Sequence, residues 1–158
     1  MKLNLGCNTA YLGDYVNVDI NPTIKADLHF DLTQPLPFDS DSTEEVLLSH
    51  VLEHLYYEDG KKLLSEIHRI LKVGGLLRVS VPNVAFAAKR LLMERPEGLD
   101  NPFTFFHVME MIFGAQNQTV WQLHRSGYTP KMLKKALMLF RVVEEEFIYN
   151  EIRLRAFK

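Results

Sequence analysis

Polar residues follow apolar, strand-like segments at four points in the first part of the chain, and the sequence could do chemistry at these points. The first is residues 5–8, Leu5, Gly6, Cys7 and Asn8. A glycine lets the backbone turn sharply and approach a ligand, and free N–H groups after a strand suit a carboxylate or a phosphate. A turn that binds nothing has the same pattern, so this segment is a candidate only.

Acidic residues stand at the second and third points. Asp19, followed by Ile20, closes a β-branched run, and its two carboxylate oxygens can accept both hydroxyls of a ribose. Asp31 can accept a hydrogen bond from the amine of an adenine ring, against which Leu32 would pack. The alternatives are a turn-capping role for Asp19 and a solvated loop carboxylate at Asp31.

The fourth point is the histidine-containing segment that begins at Ser49. His50 and His54 are four residues apart and would share one face of a helix. This is also a metal-ligand spacing, but Val51 stands where zinc proteases carry glutamate, and we predict no metal site. We expect one histidine to line a ligand pocket and the other to be a hydrogen-bonded helix residue. His124 is a further candidate base, with a surface loop histidine as its alternative reading.

Strands and helices that alternate along the chain must position these residues. The pattern predicts strands at residues 2–5, 15–20, 27–32, 45–49, 76–81, 142–149 and 152–157. It predicts a short helix at 51–57, one capped by Asp59 and stopped by Gly74-Gly75, two at 84–94 and 102–113, and one opened by Thr129-Pro130. Such alternation favours a mostly parallel sheet, in which ligands bind beyond the carboxyl ends of the strands.

The composition fits one ordinary globular domain spanning residues 1–158. A net charge of −2 gives no electrostatic reason to expect nucleic acid, and no apolar run is long enough for a membrane helix. Cys7 is the single cysteine, which excludes an intrachain disulfide and a cysteine metal cluster. With no leader-like segment either, we expect a cytoplasmic protein.

Taken together, these residues resemble the class I methyltransferases that use S-adenosylmethionine (SAM), in particular a bacterial and archaeal group of short, type 11-like members. The matching segments are LNLGCN (3–8), VNVDI (16–20), DLHFDLTQPLPF (27–38), SHVLEHL (49–55) and LKVGGLLRVSVPN (71–83). A dinucleotide site is the competing interpretation, but it requires a G-x-G-x-x-G turn, and the second glycine is absent after Gly6.

The resemblance implies a Rossmann-like α/β fold, with a mostly parallel seven-stranded sheet, an antiparallel C-terminal hairpin and helices on both faces. It implies that residues 5–8 hold the methionine end of SAM and that Asp19 and Ile20 lie at its ribose. Asp31 and Leu32 would meet the adenine, and Ser49 and His50 would face the sulfonium. S-adenosylhomocysteine (SAH) would be the product.

The sequence departs from the family pattern in the loop after the first strand and in the lack of a segment that would cover the substrate as a lid. Gly6 and Asp19 are only 13 residues apart, so the first helix must be missing or reduced to a turn. No segment ahead of the first strand is available as a lid, so residues 84–128, read as a substrate-side insertion, or another subunit would supply one. The aromatic run at 103–113 fits a core, a homo-oligomer contact or an apolar substrate pocket.

The sequence therefore predicts methyl transfer to a small-molecule or sugar-containing acceptor, such as a glycan precursor, with His50, His54 and His124 as candidate bases. The alternative is a module that binds SAM or SAH without catalysis, which the shortened loop would favour. A nucleic-acid methyltransferase is a third interpretation. The charge argues against it, and the end of the fourth strand reads Leu48-Ser49-His50-Val51 in place of an Asn/Asp-Pro-Pro-Tyr/Phe motif.

Overall fold

The computed structural model describes residues 1–92, 102–115, 120–148 and 150–158, which form a seven-stranded sheet with helices. The strands are β1 (Lys2–Leu5), β2 (Val16–Asp19), β3 (Leu28–His29), β4 (Thr43–Ser49), β5 (Leu71–Pro82), β6 (Arg141–Ile148) and β7 (Glu151–Phe157). The helices are α1 (Tyr57–Ile70), α2 (Val84–Leu92), α3 (Pro102–Phe113) and α4 (Pro130–Ala136). Short 3-10 helices lie at Leu52–His54 and Val120–Gln122.

The strand order is β3-β2-β1-β4-β5-β7-β6. Strands β1 to β5 pair in parallel, and β7 runs antiparallel to both β5 and β6. The chain moves outward from β1 to β3 and then returns to the other side of β1 with β4, so a topological switch point lies between β1 and β4. The predicted fold class, with its antiparallel C-terminal hairpin, is confirmed.

One face of the sheet carries the main core. Leu5, Leu48, Val79 and Leu154 are register neighbours across β1, β4, β5 and β7, and all are at most 2% exposed. Apolar residues of α1 and α4 pack in the same cluster. The Thr129 hydroxyl accepts a hydrogen bond from the Met132 N–H, so the predicted cap of α4 is confirmed.

On the opposite face of β1 and β2, the buried side chains are polar. Residues 6–15 contain no helix, as the short spacing predicts, and this loop lies over β1 and β2. Asn4 and Asn17 are buried beneath it; Asn4 donates to the Ala10 carbonyl at 2.8 Å, and Asn17 bonds both the N–H and the carbonyl of Leu12 at 2.9 Å. Side-chain amides of Asn4 and Asn17 therefore hold this loop against the strands, in the place where a packed helix would otherwise cover them.

The boundaries of α1 and of the third strand were predicted wrongly. Helix α1 begins at Tyr57, so Asp59 lies in its first turn and bonds Lys62 instead of capping it. The helix ends at Ile70 because Leu71 is already extended, and Gly74-Gly75 lies in a bulge of β5 where the register with β4 shifts. Strand β3 has two residues instead of the six predicted at 27–32, and the predicted helix at 51–57 is one 3-10 turn.

Helices α2 and α3 form a small second cluster around Ala87, Val108 and Met111. Phe105 and Phe106 of the aromatic run are exposed, whereas the side chain of Phe103 and residues 93–101 lie outside the described part of the chain. Within the described residues, no helix is both long and apolar enough to span a membrane.

Candidate functional site

A cleft of about 480 Å³ lies at the carboxyl ends of β1, β2 and β4, at the switch point of the sheet. Most of the predicted site residues line it: Gly6, Asn8, Asp19, Ile20, Asp31, Leu32, His50 and His54. The sequence analysis assigned no ligand contact to the other individual lining residues, which are Asn21, Ile24, Thr33, Val51, Leu55, Tyr56, Asp59, Trp121, Gln122 and Arg125.

The glycine turn after β1 is tightly packed and internally bonded. Gly6 and Asn8 have φ angles of 68° and 44°, and a Cβ on Gly6 would lie 2.5 Å from Cγ2 of Val51. The N–H groups of Gly6 and Cys7 both donate to the Val18 carbonyl, at 2.8 and 3.0 Å. The expectation that the turn offers these N–H groups to a ligand is therefore wrong, and what the turn provides is close approach of the backbone.

Asp19 stands at the wall of the cleft with its carboxylate fixed in place. Its Oδ2 accepts from the Asn8 N–H at 2.8 Å, and its Oδ1 accepts from the Asn21 N–H at 2.9 Å. Asp19 is 8% exposed, yet it lines the cleft. Each carboxylate oxygen can accept a second hydrogen bond, so the oriented group keeps acceptor capacity for a ligand hydroxyl pair.

Asp31 and Leu32 form the next part of the wall. Oδ1 of Asp31 accepts from the N–H and the hydroxyl of Thr33, at 2.9 and 2.8 Å, which makes a local turn. The Leu32 side chain is buried beside it. The turn thus places an acceptor and an apolar surface side by side.

Three of the predicted cofactor-binding residues do not line the cleft. Leu5 is fully buried in the core, and Cys7 is 2% exposed. Burial is the largest cause that raises the pKa of the Cys7 thiol, and the negative charge of Asp19 is the next. Ser49 bonds Ser80 across the strands at 3.0 Å and lines a separate groove. Side chains alternate between the faces of a strand, so the side chain of Ser49, the last residue of β4, turns away from the cleft.

His50 is held between two carboxylates. Its Nδ1 lies 3.2 Å from Oε1 of Glu53, and its Nε2 lies 3.1 Å from Oε1 of Glu151. The hydrogen bond with Glu53 raises the pKa of His50; burial opposes this, and the charges of Glu53 and Glu151 add to it. Burial would raise the pKa of Glu151, but bonds from Arg153 and Ser80 and the charge of His50 lower it overall. Both ring nitrogens of His50 are thus engaged.

His54 and His124 meet on the other side of the 3-10 turn. Their ring centroids are 5.0 Å apart at 71°, and burial lowers the pKa of His124. His50 has φ = 54° and precedes the Leu52–His54 turn, so His50 and His54 do not share a helix face as predicted. Their partners differ as a result: His50 bonds two carboxylates, and His54 packs against His124.

Glu53 is the site residue that sequence reasoning missed. It is 1% exposed, and its carboxylate lies between the histidines. The available signal was an acidic residue beside His54 and three positions after His50, within an otherwise apolar run. Only the fold reveals the burial, because it depends on distant parts of the chain.

Residues 120–126 form the remaining wall of the cleft. The N–H groups of Arg125 and Ser126 both donate to the Glu53 carbonyl, at 2.8 and 3.1 Å, and the Arg125 guanidinium donates to the His54 carbonyl at 2.7 Å. Trp121 lines the cleft from this segment and is 46% exposed. This part of residues 84–128, which were predicted to be a substrate-side insertion, is therefore docked on the Leu52–His54 turn.

Comparison with known proteins shows which protein class this fold resembles. Residues 3–79, nearly half of the chain, match the family model described as a methyltransferase domain. This match supports the predicted resemblance to the class I SAM-dependent methyltransferases, and SAM, the predicted cofactor, is the methyl donor of that family. No curated protein is significantly similar to the chain.

Solved structures support the same fold at low sequence identity. A SAM-dependent methyltransferase from Methanosarcina mazei aligns with a TM-score of 0.70 and 15% identity, covering 99% of this chain and 91% of that one. A chain from Haloferax volcanii, solved as a complex with the Trm112 methyltransferase activator, gives 0.67 and 17%, with 99% and 81% covered. The 1,6-didemethyltoxoflavin-N1-methyltransferase of Burkholderia thailandensis, solved with SAH, gives 0.61 and 15%, with 99% and 70% covered.

Proposed function

We propose that the chain binds SAM in the cleft at the switch point and transfers its methyl group to a small-molecule or sugar-containing acceptor. The observation that carries the proposal is the convergence of Gly6, Asp19, Asp31 and His50 on one cleft from separate strand ends. The cleft, at about 480 Å³, lies within the range of roughly 300–1,000 Å³ typical of cofactor sites.

The cleft is large enough for SAM, and its lining residues follow the order of the methionine, ribose and adenine parts of that molecule. Asp19, oriented by two backbone N–H groups, would accept the ribose hydroxyls. Asp31 and Leu32 would receive the adenine, and the close backbone at Gly6 would lie along the methionine end. When bound, SAM supplies a methyl group already activated by its sulfonium.

The chain's own contribution to transfer is positioning and exclusion of water. Trp121 and the residues around it would shield the open side of the cleft. Of the three histidines proposed as bases, His50 has both ring nitrogens bonded to carboxylates, and His124 is not among the lining residues. Among the described residues, His54 alone of the three lines the cleft while having only its Nδ1 bonded, to the Leu123 carbonyl. It is the histidine best placed to meet an acceptor.

Calorimetric titration with SAH tests the cofactor site. Wild-type protein should bind SAH, and Asp19→Asn should weaken binding at least about tenfold, because one carboxylate oxygen becomes an amide donor facing the ribose hydroxyls. Exposed Asp14→Asn makes the same chemical change in the loop before β2 and should bind as wild type does. Absence of SAH binding by the folded wild type would refute the proposal.

Transfer itself requires a separate assay. Radiolabelled methyl from SAM should appear in an acceptor fraction of cell extract when wild-type protein is added. SAH binding without any labelled product across small-molecule and glycan-precursor fractions would favour the module that binds SAM without catalysis.

A further inference from the structure

Three ligand-type side chains meet at the wall of the cleft. Glu53, His54 and His124 each place one potential ligand atom within 4.8 Å of those of the other two. Oε2 of Glu53 is buried and has no hydrogen-bond partner among the described residues, while its Oε1 is bonded to His50. A buried carboxylate oxygen with no partner is costly, and a bound cation would offset that cost.

The hydrogen bonds of the two histidines leave lone pairs for such a cation. Nδ1 of His54 lies 3.2 Å from the Leu123 carbonyl oxygen, and Nδ1 of His124 lies 3.1 Å from that of Met111. A carbonyl only accepts, so each neutral ring carries its proton on Nδ1 and its lone pair on Nε2. Metal-binding histidines are oriented by backbone carbonyls in this way.

The two segments that carry the ligands are held together by the backbone. The bonds from Arg125 and Ser126 to the Glu53 carbonyl fix residue 124 beside residues 53 and 54. At the other end, Gly114 makes a bridge with Leu123, and a Cβ on Gly114 would lie within van der Waals overlap of the Gln122 carbonyl. The three side chains are therefore brought together by main-chain contacts that do not depend on the side chains themselves.

We propose that Glu53, His54 and His124 bind one divalent transition-metal ion such as Zn²⁺. Two imidazoles and one carboxylate make a three-ligand site that keeps an open coordination position. Bonds of about 2.0–2.2 Å bring tetrahedral ligand atoms to within roughly 3.5 Å of one another, so side-chain rotation closes the present spacing. His54 lines the cleft, and with its Nε2 on the ion the acceptor's oxygen would meet the ion in place of a free imidazole base, a role that rests on the proposed function.

This ligand set is not the pair that the sequence suggests. The His50 and His54 spacing points to those two histidines, but the turn separates them, and His50 instead orients Glu53 through Oε1. The third ligand comes from a residue 70 positions beyond His54. A pattern of near neighbours could not have revealed it.

Titration with ZnCl₂ tests the ion site without any cofactor. Tag-free full-length protein, stripped with EDTA and dialysed, should bind one Zn²⁺ by calorimetry. His124→Gln and Glu53→Gln should each weaken binding at least about tenfold, whereas His29→Gln, on exposed β3, should leave it unchanged. Substitution by Co²⁺ should give visible absorption from coordinated nitrogen that His124→Gln abolishes.

Each outcome decides the proposal. The proposal is overturned if wild-type protein does not bind Zn²⁺, or if wild type and His124→Gln bind it equally well. It is also overturned if His29→Gln weakens Zn²⁺ binding as much as His124→Gln does, because the ion would then bind to surface histidines. If circular dichroism shows that Glu53→Gln does not fold, His54→Gln and His124→Gln decide the matter. Protein that binds SAH but not Zn²⁺ refutes the ion site alone, and the reverse refutes the cofactor site alone.

Discussion

Gly6 shows how little room the site leaves for a side chain. Gly6 has a positive φ, and a methyl group of Val51 lies where a Cβ on Gly6 would stand. The turn after β1 and the histidine segment after β4 are therefore packed directly on each other. The turn after β1 therefore sets the position of the residues that follow β4. A change at Gly6 acts on both walls of the cleft.

We expect Gly6→Ala to lower the free energy of unfolding by about 1–3 kcal/mol and to weaken SAH binding, because the backbone is strained and Val51 must shift. Gly13→Ala is the matched control, since nothing lies within 4 Å of a Cβ there. Urea denaturation of both variants measures the difference. Equal stability of the two would show that the contact with Val51 is unimportant.

Cys7 reports on the same turn through its chemistry. Burial and the charge of Asp19 raise the pKa of its thiol, so at a given pH the native protein holds less thiolate than a free cysteine does. Reaction with DTNB at pH 8 should be more than about tenfold slower in native than in urea-unfolded protein, and should accelerate as the pH rises. A native rate equal to the unfolded rate would contradict this. Cys7 is the only cysteine, so the signal is unambiguous.

At the scale of elements, the loop over β1 and β2 replaces a helix with side-chain bonds. Asn17 is fully buried, and besides Leu12 it bonds the Asn4 amide and the Asp27 carboxylate, at 3.0 and 2.9 Å. The N–H of Asn17 donates to Asp27 at 2.7 Å, and this bond is the largest cause of the lowered pKa of that carboxyl. One residue thus ties the loop to the strands and to the segment before β3.

Asn17→Ala should reduce the free energy of unfolding by about 2 kcal/mol or more, because it leaves several buried backbone and amide groups without partners. Thr9→Ala, exposed in the same loop, should cost little. Guanidinium denaturation compares the two. A loss no greater than that of Thr9→Ala would show that the loop is held by other contacts.

Elements marked by local chemistry could be predicted, and those set by distant contacts could not. Strands ended by turn residues, such as β2, and the Thr129-Pro130 helix start were predicted because their signals lie within a few residues. Gly74-Gly75 misled the prediction, because a glycine pair has the same local pattern in a helix stop and in a bulge. At the site, Asp19 and His50 were found at strand ends, whereas the surroundings of Glu53 include residues 124–126, which are distant in sequence.

At the scale of the whole molecule, the proposed cofactor site draws on residues from Gly6 to Arg125. Many of these residues follow strands of one sheet, and those strands share a core. A ligand that binds this cleft contacts the folded state alone. Binding should therefore stabilise the complete domain and not one segment of it.

SAH should accordingly raise the unfolding temperature in proportion to the logarithm of its concentration, by the equivalent of about 2.7 kcal/mol at a hundredfold excess over Kd. Differential scanning calorimetry of wild type and Asp19→Asn measures the shift, with Asp14→Asn as the control that should follow wild type. No shift in wild type at saturating SAH would argue against the cleft as the binding site.

The pair of carboxylates that holds His50, Glu53 and Glu151, also determines when the site can be completed during synthesis of the chain. Gly6, Asp19 and Asp31 leave the ribosome early, but Glu151, which holds Nε2 of His50, is made a hundred residues after that histidine. Strand β7, which carries Glu151, must also insert between β5 and β6 before the sheet is complete. A nascent chain that is interrupted before residue 151 thus contains Gly6, Asp19 and Asp31 but lacks the Glu151 partner of His50. It cannot assemble the finished site until translation has passed that residue.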